Sequence, residues 1–78
     1  MKLDFLVEFD TCARLLNMHS AADSLFIAQS SLSKHMKALE KEVGCPLFYY
    51  SENKTRLTHQ GAYFLEGIQP ILATYERL

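Results

Sequence analysis

Apolar residues recur along the start of the chain at the spacing of a helix that buries one face. Leu3, Phe5, Leu6, Phe9, Ala13 and Leu16 fall near one side of a 3.6-residue period, and Asp4, Glu8, Asp10 and Arg14 mostly on the other. The pattern predicts a first helix over 3–16. Asn17 interrupts it as an N-cap, and a short second helix over about 18–25 turns Ala21, Ala22 and Leu25 inward. A third helix is expected from about 29 to 43, ended by Gly44 at the C′ position with Pro46 beyond it. The aromatic run Leu47-Phe48-Tyr49-Tyr50, turn residues over 51–54 and Thr55-Arg56-Leu57 read as a hairpin. Thr58 then caps a last helix.

That last helix repeats Phe64, Ile68, Ile71, Tyr75 and Leu78 at steps of 4, 3, 4 and 3, the heptad rhythm of a helix seeking a partner helix. With no other segment left to cover it, the stripe is expected to make a homodimer. Pro70 lies inside the helix, where it removes a backbone hydrogen bond and crowds the carbonyl of Glu66, so a kink is expected there. The fold class is therefore mainly α: a winged helix-turn-helix of three helices and a β-hairpin wing over 1–58, followed by a dimerisation helix over 59–78.

The third helix carries the chemistry. Leu32, Met36, Leu39 and Val43 make one buried stripe, while Ser30, Ser33, Lys34, Lys37 and Lys41 share another face and Gln29 stands at the start. Gln offers a donor and an acceptor together to adenine, Ser hydroxyls bond bases or phosphates, and Lys neutralises phosphate. A solvated polar face is the plain alternative for an isolated amphipathic helix. Lys54 and Arg56 in the hairpin weigh against it, because they stand where a wing reaches backbone phosphate or the minor groove.

Charge at first speaks against a polyanion partner, since eight Lys and Arg stand against nine Asp and Glu for a net −1. Its distribution changes that. Residues 28–58 hold Lys34, Lys37, Lys41, Lys54 and Arg56 against Glu40, Glu42 and Glu52, a local +2, so the acidic excess lies outside the proposed reading surface. About half the chain is hydrophobic, enough for one small core. Cys12 and Cys45 make neither a disulfide framework nor a zinc set and are expected to pack. No apolar run approaches the roughly 18 residues of a membrane span, and residues 1–16 lack the pattern of a signal peptide. A cytoplasmic protein with free thiols and no membrane partner is expected.

The run Ala21-Ala22-x-x-Leu25-x-x-x-Gln29-x-x-x-Ser33-x-x-x-x-x-Leu39-Glu40-x-x-x-Gly44-x-x-Leu47-Phe48, followed by Leu57-Thr58-x-x-Gly61, resembles the N-terminal DNA-binding domain of LysR-type transcriptional regulators. The likeness covers essentially the whole chain without insertion. It implies that the helix matching 29–43 enters the major groove of double-stranded operator DNA and that the wing matching 48–58 flanks it. Carried over by position, Gln29, Ser30, Ser31, Ser33, Lys34 and Lys37 face the groove, and Lys54 and Arg56 are wing contacts. Leu39 is core, and Glu40 belongs to a local ion pair. The resemblance also implies that the helix over 59–78 is a long linker helix, and that a C-terminal domain, absent from these residues, is where a small-molecule effector acts.

Departures from the family pattern carry their own expectations. Ala28 stands where Ser or Thr is usual, so the reading helix lacks its cap, and Ser30 or Ser31 is expected to cap it one turn later. Ser30 itself replaces a frequent Pro, and Leu16 a common Gly. Tyr50 replaces an Arg that usually follows Leu-Phe-x, keeping a donor while losing a charge.

Other residue types point to no chemistry. His19, His35 and His59 have no ligand spacing and read as ordinary surface or partly buried imidazoles, so no metal or other cofactor is expected; a reach of His35 to DNA from the edge of the third helix is the lesser alternative. No Ser has a neighbouring His and Asp, and no glycine loop cradles phosphate, so no enzyme is expected. Tyr49, Tyr50 and Tyr63 read as wing packing in preference to a single-strand stacking platform. A helix-turn-helix turned to protein interaction is the rival function, motivated by the near-neutral charge, the missing cap and the missing wing cation.

Overall fold

The computed structural model describes residues Met1–Leu78, and the chain folds as α1 (Leu3–Leu15), α2 (Met18–Leu25), α3 (Gln29–Val43), β1 (Phe48–Ser51), β2 (Lys54–Leu57) and α4 (His59–Glu76). The mainly helical winged helix-turn-helix expected from the sequence is the architecture found. Phe9 of α1 is its centre: fully buried, with its ring 5.1 Å from that of Phe48 and 5.2 Å, edge-on, from that of Phe64. Ala21 and Ala22 of α2 lie buried and let that helix approach closely, while Leu32, Met36 and Leu39 anchor α3. Leu47, just before the wing, is buried completely.

Local signals set most boundaries. Asn17 Oδ1 accepts from Ser20 N–H at 2.9 Å, and Thr58 Oγ1 accepts from Gly61 N–H at 2.9 Å, so both N-caps form as their side chains dictate. Gly44 closes α3 at φ 90, its N–H donating to Glu40 O at 2.8 Å. The first helix stops one residue earlier than expected. Leu16 adopts the left-handed conformation at φ 50, a geometry that favours glycine and explains the family preference there.

Two further expectations are corrected. α3 begins at Gln29 without any side-chain cap and without waiting for Ser30 or Ser31, because Ala28 is extended and its carbonyl accepts the N–H of Leu32 at 3.1 Å. The strands pair antiparallel with Phe48 opposite Leu57 and Ser51 opposite Lys54, which narrows the turn to Glu52 and Asn53. Both have positive φ, 52 and 59, as a tight two-residue hairpin turn demands.

α4 runs unbroken through Pro70 and is held to the rest of the molecule by contacts spread from Gly61 to Leu72. Gly61, Ile68 and Leu72 are buried, and Phe64 packs against their cluster. α1 packs against this face, so part of the heptad stripe, Ile68 and half of Phe64, is covered within the chain, while Ile71, Tyr75 and Leu78 are left uncovered as expected.

Candidate nucleic-acid interface

The stripe Leu32, Met36 and Leu39 fixes which side of α3 looks outward. Gln29, Ser30, Lys34 and Lys37 are exposed, and Ser31 and Ser33 are half-buried. None of the three basic residues of α3 is held in an ion pair, leaving Lys34 and Lys37 available to an external anion. On the wing Lys54 is exposed and Arg56 half-buried, both likewise unpaired.

Two adjoining depressions join these elements. A cleft of about 360 Å³ brings Gln29 together with Lys54, Asn53 and Tyr50 of the wing and with Asn17 and His19 at the start of α2. A groove of about 240 Å³ runs between Ser33, Lys37 and Glu40 of α3 and Tyr49, Tyr50 and Thr55 of the wing. Of the helix and wing residues expected from the sequence, Gln29, Ser33, Lys37 and Lys54 line these depressions, whereas Ser30, Ser31, Lys34 and Arg56 line neither.

Glu40 does something other than expected. Its Oε2 accepts from the backbone N–H of Leu47 at 2.7 Å and of Phe48 at 3.1 Å, so its partner is the root of the wing, not a cation. A carboxylate on two partly buried backbone donors is a strong, charge-assisted arrangement, and it ties the wing to the reading helix. His35 is a partly buried imidazole, and its reach to DNA, the lesser alternative, is not what the structure favours. Its Nδ1 lies 2.7 Å from Glu8 Oε1 and its ring stacks on Phe5 at 4.4 Å, so it faces α1 and not the groove.

The tyrosines are not packed as expected. Tyr50 is 71% exposed and Tyr63 81%, while Tyr49 is about half exposed, and Tyr63 lies on α4, away from the wing. Cys12 is buried in the core, where desolvation, with the nearby charge of Glu8 adding to it, pushes its thiol up to about 11. It is a neutral packing group at physiological pH. Cys45 is half-buried, and no group of three or more His, Cys, Asp or Glu is placed to hold a metal ion. No helix is long and apolar enough to cross a membrane.

The expected dimer stripe divides between two faces. Ile68 is buried in the chain's own core and Phe64 is half covered, so neither is free as a whole, whereas Ile71, Tyr75 and Leu78 remain exposed. Tyr63 and Gly67 continue the outward side toward the N-terminus of α4, beside a largely apolar groove of about 580 Å³ floored by Val43, Phe64 and Ile68. Leu72 was the missed core position. Its place four residues after Ile68 was the available signal.

Residues 3–62 match the family model described as bacterial regulatory helix-turn-helix protein, lysR family. Among curated relatives, the HTH-type transcriptional regulator CitR of Bacillus subtilis is 34% identical over 76 residues, which are 97% of this chain and 26% of CitR. BudR of Klebsiella aerogenes is 41% identical over 73 residues, 94% of this chain and 51% of BudR. The chain thus spans between a quarter and a half of the length of these relatives. A crystal structure of the DNA-binding domain of CbnR in complex with DNA superposes with a TM-score of 0.91 at 34% identity, covering 99% of this chain and 88% of that one.

Proposed function

We propose, from the premise that this chain belongs to the lysR family of bacterial regulatory helix-turn-helix proteins, that it binds double-stranded DNA sequence-specifically as the DNA-binding domain of a transcriptional regulator. It acts in the bacterial cytoplasm as a dimer on paired half-sites, by binding and without chemistry of its own. A small-molecule effector acts through a further domain. The observation that carries this reading is the shared cleft of Gln29 and Lys54. The reading end of α3 and the tip of the wing border one channel, with uncompensated Lys34 and Lys37 on the same helix. Gln29 and the serines address base edges, while Lys34, Lys37, Lys54 and Arg56 address phosphate.

Gln29→Ala tests the division of labour. Binding to a duplex selected from a random library should weaken by roughly tenfold, with preference relaxed at one base pair per half-site, while affinity for unrelated duplex changes by less than about twofold. A uniform loss on every duplex would refute direct readout by Gln29.

The dimer is proposed to form through the outward side of α4, with Ile71, Tyr75 and Leu78 as its apolar contacts and Phe64 and Ile68 backing them from the core. Ile71→Asp places a charge where an apolar partner is expected. Sedimentation should show the dimer weakened by at least about tenfold, with helical circular dichroism unchanged because Ile71 is half exposed. Unaltered self-association would move the interface elsewhere.

A further inference from the structure

We propose that Asp10 and Gln69 are positioning residues: their hydrogen bond sets the direction in which α4 leaves the winged helix-turn-helix, and so the half-site spacing a dimer accepts. The proposal rests on the DNA-binding and dimer readings above and adds what holds the two readers at a fixed distance. Asp10 lies on α1 with its side chain only 18% exposed. Its Oδ1 accepts from Gln69 Nε2 at 3.0 Å, and its Oδ2 accepts from Arg14 Nε at 3.1 Å, with Arg14 Nη2 also 3.1 Å away. Gln69 Nε2 also donates to the carbonyl of Leu65, one turn back, at 3.3 Å. Each partner is thus steadied by its own helix, the carboxylate by Arg14 and the amide by Leu65.

Beyond its first turn, α4 makes no other hydrogen bond or ion pair to the rest of the chain. What remains is apolar: Phe64 meets Phe9 edge-on, and Ile68 and Leu72 are buried in the core. Such burial is non-directional and holds α4 down without fixing its angle, whereas a hydrogen bond has an angular preference. The place of the bond gives it leverage. Pro70 follows Gln69 and brings no N–H to the helix ladder, so α4 is least supported there. Ile71, Tyr75 and Leu78, the residues proposed to meet the second copy, all lie beyond that point. Tyr75 stands about 9 Å along the helix from Gln69. A tilt of about 20° over that length displaces the dimer contacts by about 3 Å, close to one base-pair step.

Fluorescence anisotropy of the 78-residue protein tests this on duplexes carrying two library-selected half-sites at a series of spacings, and on a duplex carrying one. Gln69→Met keeps the length of the side chain and removes its donor. It should cut the preference for the best spacing over its neighbours by about fivefold, with affinity for the single half-site within about twofold of wild type. Gln69→Lys offers Asp10 an ammonium donor in place of the amide and should keep the wild-type spacing profile. A Gln69→Met profile equal to wild type overturns the proposal. So does an equal loss on every duplex, which would mark a purely structural role, or a Gln69→Lys profile as broad as that of Gln69→Met. Wild-type protein that binds the paired duplexes alike at every spacing removes the dimer reading, and this proposal with it. Wild-type protein that binds no duplex removes the DNA-binding reading itself.

Discussion

Gly61→Ala should destabilise the protein by about 3 kcal/mol, although alanine is the better helix former. A Cβ at position 61 would overlap the backbone carbonyl oxygen of Leu47 and press on the side chain of Leu57. The neighbouring atoms are mostly backbone and have no room to yield. Thr58 N–H donates to that same Leu47 carbonyl at 3.0 Å, and Thr58 Oγ1 to Pro46 O at 2.7 Å, so moving α4 outward breaks the bonds that seat its first turn. It also uncovers Leu47. For a domain of this size the loss corresponds to a fall in melting temperature of roughly 12–24 °C, read by circular dichroism. Gly67 supplies the control, since a Cβ there meets nothing within 4 Å. Gly67→Ala should stabilise the monomer by about 1 kcal/mol. Two glycines of one helix thus answer the same substitution with opposite signs, and equal responses would contradict the close approach of α4 to Leu47.

Removing Lys34 and Lys37 together should have the largest effect on DNA binding. Each is exposed and unpaired, so neither Ala substitution disturbs an internal contact. Two lost phosphate contacts per subunit should flatten the salt slope by about 1.8 per subunit, doubled to about 3.6 in a dimer, and lower affinity at low salt by roughly 10²-fold or more. Affinity for preferred and unrelated duplexes should fall in similar proportion, because phosphate contacts carry no base information. An unchanged slope would remove both residues from the interface while leaving the fold as described.

Much of this architecture is legible in the sequence, for reasons that are local. Asn17, Gly44 and Thr58 act on backbone groups within four residues, so their caps follow from residue type alone. The stripe of α3 is equally clear, because one face is fully apolar and the other carries the lysines. What escapes are effects decided by the third dimension. Glu40 meets Leu47 and Phe48 seven and eight residues away only because the chain turns back after Gly44. His35 meets Glu8 across twenty-seven residues and is claimed by α1. The apolar positions of α4 make two overlapping stripes, and only the crossing of α1 decides that Ile68 and Leu72 go inward while Ile71 and Tyr75 stay out.

The candidate interface divides the same way. Gln29, Lys34, Lys37 and Lys54 are readable as residue types on a predicted face. That Gln29 and Lys54 share a cleft is a consequence of the tight Glu52-Asn53 turn, which requires left-handed backbone at both residues. Nothing about Glu52 announces such a conformation, since the geometry favours Gly, Asn or Asp.

The near-neutral charge of the whole chain makes the salt dependence of wild-type binding the most direct test. With Lys34, Lys37, Lys54 and Arg56 each neutralising one phosphate, anisotropy titrations should give saturable binding at low salt and a log–log slope of about −3.6 per subunit. A verified dimer that shows no saturable binding to any duplex at low salt would contradict the account and favour a helix-turn-helix devoted to protein contacts.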